Sequence, residues 1–232
     1  MNQENGMALR QGSIETKNKI LSVCVRLFLE RGYKNTPISM IIEEAGVSVS
    51  TFQNIFHTKD GVLAELIEFM FSNQFAMAEK ISENALSPIY VYAVETAIQL
   101  ALTELNENLR DIYCEAYSVE QTAEYIYENT AIKLYRIFGS YLKGRTEADF
   151  YNLEIGTAGI MRGYMSKKCD IHFPLKKKIE CFLTSSLRVF AVPESEIKNV
   201  MGYIGGIDIV PFANGVMQKL FAALEMRFDF TL

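Results

Sequence analysis

Apolar residues recur at helical spacing along nearly the whole chain, and no segment alternates apolar and polar positions with period two over any length. The pattern predicts an all-α protein. A first helix is expected from about Thr16 to Arg31, where Ile20, Val23, Cys24, Leu27 and Phe28 share one face and Gly32 supplies the stop. Thr36 is expected to cap a second helix that has Pro37 at its first position. A tight turn, Ala45-Gly46-Val47-Ser48, leads into a third short helix, and Thr58 caps a fourth with the stripe Leu63, Leu66, Ile67, Met70 and Phe71. The body begins near Pro88 with a stripe at Val94, Ala97, Ile98, Ala101, Leu102 and Leu105. Further helices are expected from near Leu109, along Ala123, Ile126, Thr130, Leu134, Phe138 and Tyr141, after the capping box Thr146 to Asp149, and from about Leu175 to Phe190. Two shorter ones close the chain. The helix after the capping box carries Gly156, Gly159 and Gly163, each costing helix stability of about 1 kcal/mol against alanine, which predicts close approach of another helix.

Residues 36–63 carry the clearest chemistry. Ile38, Ile41, Ala45, Val47, Phe52, Ile55 and Phe56 flank the turn and form an apolar base. Ser50, Thr51, Gln53 and Asn54 then share a face that the core does not need. A short helix that shows hydrogen-bonding side chains outward, braced by another helix, is how a helix-turn-helix offers groups to a major groove. Gln53 and Asn54 have the bidentate geometry for adenine, and Ser50 and Thr51 suit bases or phosphates. Ser48 opens the same helix. Lys59 stands at a helix N-terminus, where a cation does not help the isolated helix and a phosphate contact accounts for it. Thr36 and His57 are further candidates for backbone contact. Gly46 is expected at positive φ.

The residues in this stretch are similar in order and spacing to the TetR family of bacterial transcriptional regulators. The resemblance rests on Phe28, Gly32 and Tyr33 at the end of the first helix, Thr36, the sequence Ala45-Gly46-Val47-Ser48, Phe56, and Thr58-Lys59-Asp60. It covers about a quarter of the chain. Ile42, Gln53 and Ile55 depart from it, standing where the family usually has alanine, a phosphate-touching tyrosine, and an aromatic or histidine. The resemblance implies a three-helix DNA-binding domain over 14–60, followed by a larger helical-bundle ligand-binding and dimerisation domain over 61–232, with 1–13 expected as a disordered arm. It further implies a homodimer on a near-palindromic double-stranded DNA operator, with the dimer interface on the helices at 149–167 and 175–190. An effector bound in the body would release or engage the operator. Tyr113, Cys114, Tyr117, Met161 and Tyr164 are candidates for the wall of a site for a small apolar or aromatic effector.

Charge and composition alter this picture little. The net charge of −5 is unlike that of a nucleic-acid binder, but residues 1–60 hold seven Lys/Arg against six Asp/Glu, so the acidity lies in the body. Cys24, Cys114, Cys169 and Cys181 are scattered and read as free thiols, and with His57 and His172 as the only histidines no metal centre is expected. No apolar run is long enough for a membrane and no leader pattern opens the chain, so a cytoplasmic protein is expected. No catalytic motif or cofactor fingerprint is present, and the acidic residues read as a solvated face. The alternative is an all-α small-molecule-binding protein or enzyme whose helix-turn-helix is incidental.

Overall fold

The computed structural model describes residues 2–81, 87–228 and 230, with side chains described from residue 12 onward. Eleven helices and no strand are found among them: α1 (Asn2–Arg31), α2 (Ile38–Ala45), α3 (Val49–Phe56), α4 (Lys59–Ile81), α5 (Pro88–Leu105), α6 (Glu107–Ala116), α7 (Glu120–Phe138), α8 (Glu147–Ser166), α9 (Leu175–Val189), α10 (Glu194–Gly205) and α11 (Val210–Ala223). The all-α expectation holds.

α1 begins at Asn2 and not near Thr16, so the segment expected as an arm continues the helix. Its residues include good helix formers and no proline. Gly12 to Glu15 are exposed, and Ile20 is the first buried residue among those whose side chains are described. Thr36 also departs from expectation. It does not cap α2, whose N-cap is Pro37 without a side-chain bond. Thr36 is fully buried, and its hydroxyl donates to the Gly32 carbonyl at 2.9 Å, tying the loop to the end of α1. Three other caps form as the sequence predicts or in the same style. Thr58 accepts from the Gly61 N–H, Asn106 from the Leu109 N–H, and Thr146 with Asp149 makes a capping box.

α5 is the axis of the body. It packs against α4, α6, α7, α8, α9, α10 and α11, and Tyr92 through Thr103 are all buried, polar residues included. The aromatic rings of Tyr92, Phe138, Phe150 and Phe190 stack around its first half. α4 crosses the expected boundary at residue 60. Its start packs on α3 and α1, while Phe71 and its neighbours pack on α5, α7 and α11. A second link joins head and body, because Asn108 at the start of α6 donates to the Leu29 carbonyl at 2.8 Å.

Within the single chain no helix presses on the α8 glycines. A Cβ built on Gly156, Gly159 or Gly163 meets no atom within 4 Å. They share an outward stripe with exposed Asn152, Ile155 and Ser166.

Candidate nucleic-acid interface and inner cavity

The turn between α2 and α3 is built as its sequence predicts. Gly46 sits at φ 59°, ψ 40°, the left-handed region that glycine adopts without strain. Its N–H donates to the Glu43 carbonyl and that of Val47 to the Ile42 carbonyl, closing the end of α2. Ser48 caps α3, its hydroxyl oxygen accepting from the Thr51 N–H at 3.0 Å. The Ser50 and Thr51 hydroxyls each lie 2.8 Å from that of Ser48.

Phe52 and Phe56 are buried with ring centroids 5.7 Å apart, and they seat α3 on the head. Opposite them, Ser48, Ser50, Gln53 and Asn54 are exposed and Thr51 is half-buried. Five of the expected DNA-facing residues are thereby brought onto one face. Sequence reasoning missed Val49, which is 56 % exposed at the first turn of α3. A valine there offers methyl groups of the kind that contact thymine. Its signal was an apolar residue out of phase with the buried stripe.

The remaining candidates sit elsewhere. Thr36 has no exposed surface, so its hydroxyl cannot reach a phosphate. Lys59 turns inward: its ammonium donates to the carbonyls of Tyr33 at 2.9 Å and Thr36 at 3.2 Å, and lies 4.2 Å from the Tyr33 ring centroid. Burial lowers its pKa, against the opposing pull of Asp60 and Glu115. Asp60 accepts from the Tyr33 hydroxyl at 2.5 Å, so the start of α4 and the end of α1 are clasped. His57 is exposed at the end of α3 with φ 60° and ψ −52°. The Thr58 N–H reaches back to the Phe56 carbonyl at 2.6 Å, which makes His57 the centre of a strained γ-turn of the positive-φ kind. This folds α4 sharply back onto α3. A Cβ on Gly61 would lie 2.1 Å from the same Phe56 carbonyl oxygen, so only glycine fits there.

The body holds a small cavity of about 30 Å³ lined by α4, α5, α7, α8 and α9, with Tyr117 at the end of α6. Of the expected effector residues, Tyr117 and Met161 line it. Tyr113, Cys114 and Tyr164 do not. Tyr113 is buried against α1 and α4 and receives a hydrogen bond from the Gln74 amide. The Cys114 carbonyl accepts from Arg162, and Tyr164 borders an open groove along α9.

Glu95 and Glu154 line the cavity, correcting the reading of the acidic residues as a solvated face at these two positions. Burial pushes the Glu95 carboxyl up to about 7, opposed by Lys133 and by the hydrogen bond from Gln99. Burial likewise pushes Glu154 up to about 8, opposed by the Thr157 hydroxyl, which donates to it at 2.6 Å. Gln99 donates to Glu95 at 3.0 Å and accepts from the Tyr117 hydroxyl at 3.1 Å. The signal in the sequence was the placement of Glu95 and Gln99 four apart in a helix otherwise apolar all round.

Among the described residues no His/Cys/Asp/Glu group is arranged to hold a metal, and the four cysteines are free thiols. No single described helix is long and apolar enough to cross a membrane.

Residues 20–66 match the family profile described as bacterial regulatory proteins, tetR family. The HTH-type transcriptional regulator AcrR of Shigella flexneri is 26% identical over 197 residues, covering 78% of this chain and 92% of that protein. Two uncharacterized HTH-type transcriptional regulators of Bacillus subtilis match over shorter spans. YuxN is 26% identical over 41% of this chain, and YdgC 28% identical over 39%. Those two alignments span 31% and 50% of the relatives' own lengths.

Proposed function

We infer from the chain's place in the tetR family of bacterial regulatory proteins, to which it belongs and whose members are DNA-binding transcriptional regulators, that it is a ligand-responsive repressor acting in the cytoplasm. The observation that carries this is α3: Ser50, Gln53 and Asn54 stand exposed on a helix held rigidly by buried Phe52 and Phe56. Gln53 and Asn54 read base edges, and Ser48, Ser50 and Thr51 serve phosphates or bases near the α3 N-terminus. Lys59 positions the head through the Tyr33 and Thr36 carbonyls; His57 meets the DNA backbone from the α3–α4 turn.

One short helix reads few base pairs, so the repressor works as a homodimer on a near-palindromic operator. The outward glycine stripe of α8 supports this, because its backbone is open to close approach by the same helix of a second copy. Beside it α9 shows small residues, Cys181, Thr184 and Ser185, along the groove bordered by Tyr164.

The effector is a small molecule with an apolar or aromatic body, bound in the inner cavity. α4 is the means of coupling. Phe71 and Phe75 of this helix line the cavity, while its first residue, Lys59, bonds the loop that seats α2. A ligand that parts α4 from α7 moves the recognition helices, and the coupling is reciprocal.

The test is binding of the purified protein to DNA flanking its own gene across a salt series. Affinity is expected to fall steeply with salt. Changing Gln53 and Asn54 together to alanine is expected to weaken specific binding by tenfold or more, at about 1–3 kcal/mol for each bidentate contact. An absence of salt-dependent binding overturns the reading. Target transcripts rising in a deletion strain distinguish a repressor from an activator.

A further inference from the structure

The cavity in the body carries more chemistry than an apolar effector needs. Glu95 and Glu154 are 3 % and 6 % exposed, and among the described residues neither has a Lys, Arg or His nitrogen within 4 Å. Each receives a single side-chain hydrogen bond, from Gln99 and from Thr157. Two carboxyl groups buried in one cavity without an ion-pair partner are costly to ionise; Lys133 acts on Glu95 from beyond 4 Å, and no cation acts on Glu154. A third polar group on the wall, the Thr130 hydroxyl, is buried without a hydrogen-bond partner.

Five aromatic rings share the wall, Phe71, Phe75, Tyr92, Tyr117 and Phe182, beside the aliphatic Leu134, Ile137 and Ala158. Its rings already hold one cation. Lys133 lies with its ammonium 3.1 Å from the Phe75 ring centroid, at the edge of the cavity and half-buried. Ring faces attract a positive charge, most strongly when it is desolvated. A neutral ligand would leave both carboxyl groups without a counter-charge, and an anion would make them costlier still to ionise. A cation with a flat apolar body satisfies rings and carboxylates together.

We propose that the cavity between α4, α5, α7, α8 and α9 binds a monovalent organic cation with an aromatic or apolar body, its positive charge held between Glu95 and Glu154. This rests on the reading of the body as an effector domain. Lys133, whose charge Glu95 draws on first and Glu79 second, yields the Phe75 ring to the ligand and turns on its flexible stem toward solvent beside Glu79, and the ligand widens the small cavity by parting α4 from α7. Nothing covalent is involved. One proton held on the carboxyl pair leaves to buffer as the ligand's single charge takes its place.

Three probes of one shape test this on the full chain: N-methyl-4-phenylpyridinium, its neutral isostere 4-methylbiphenyl, and the anion biphenyl-4-carboxylate. Binding is followed by thermal shift, and by calorimetry for the charged pair. The cation is expected to bind at least tenfold more tightly than the neutral isostere, and the anion not at all. Glu95→Gln and Glu154→Gln are each expected to weaken the cation tenfold and to leave the neutral probe unchanged. A neutral probe that binds as tightly as the cation, or two Gln variants that both keep cation affinity, overturns the proposal. Should a Gln variant fail to fold, judged by its helical circular dichroism, the charge series on the unaltered chain still decides. Binding to the flanking DNA without ligand is measured in parallel. DNA binding without cation preference overturns the ligand class alone. Cation preference without DNA binding supports the ligand class and overturns the regulator reading.

Discussion

Gly61 shows how one missing methyl group sets the geometry of the head. The Phe56 carbonyl is bent back by the γ-turn at His57 and lies 2.1 Å from where a Gly61 Cβ would stand. The obstacle is backbone, so a side chain at 61 must push α3 and α4 apart. Gly61→Ala is expected to destabilise the protein by about 1–3 kcal/mol, read in thermal denaturation, and to weaken DNA binding by displacing α3. A second residue-scale prediction concerns Glu154. Its carboxyl stands at about 8 in the folded chain against an ordinary 4.5. The folded state therefore holds this proton more tightly than the unfolded state between those values. The stability it contributes is complete below about 4.5 and is lost as pH rises to about 8. The loss is on the order of a few kcal/mol. Glu154→Gln cannot ionise, so its melting temperature relative to the unaltered chain is expected to rise from pH 5 to pH 8. A difference that stays flat with pH contradicts the assignment.

At the scale of elements, the α2–α3 turn separates conformational from steric constraint. A Cβ on Gly46 meets only the Lys19 ammonium, at 3.7 Å, so space is available and the positive φ is the whole constraint. Gly46→Ala is expected to cost about 1–2 kcal/mol, and Gly46→Asn less, because asparagine tolerates the left-handed region. Chemical denaturation of the two variants makes the comparison. This turn was legible in the chain because its requirement is local. The same holds for the Thr146–Asp149 capping box and the Phe52/Phe56 base. Thr36 was misread although its partner is also local. A threonine before Pro37 has the look of a cap, but the Gly32 carbonyl four residues back competed for its hydroxyl and won. Lys59 was placed at the right helix end, and its direction was set by the Tyr33 ring and two carbonyls distant in sequence.

For the whole molecule, the glycine stripe of α8 gives a clean test of assembly. Since a side chain at Gly159 meets nothing within 4 Å in the single chain, Gly159→Gln should leave the protomer folded and its helix slightly stabilised. The variant is expected to sediment as a monomer where the unaltered chain sediments as a dimer, and to lose operator affinity with it. An unchanged dimer moves the interface off α8.

What the chain determined by itself was local: helical periodicity, caps, the glycine of a tight turn, and an outward polar face on α3. Each depends on residues within about two turns of one another, so order and spacing suffice to read it. The tertiary structure alone decided which distant groups share an enclosed space. It buried Glu95 and Glu154 together in one aromatic cavity and turned Tyr113 toward the head. It also left the α8 glycines open on the surface. Burial and proximity across helices are properties of packing, and the spacing of residues along one helix does not encode them.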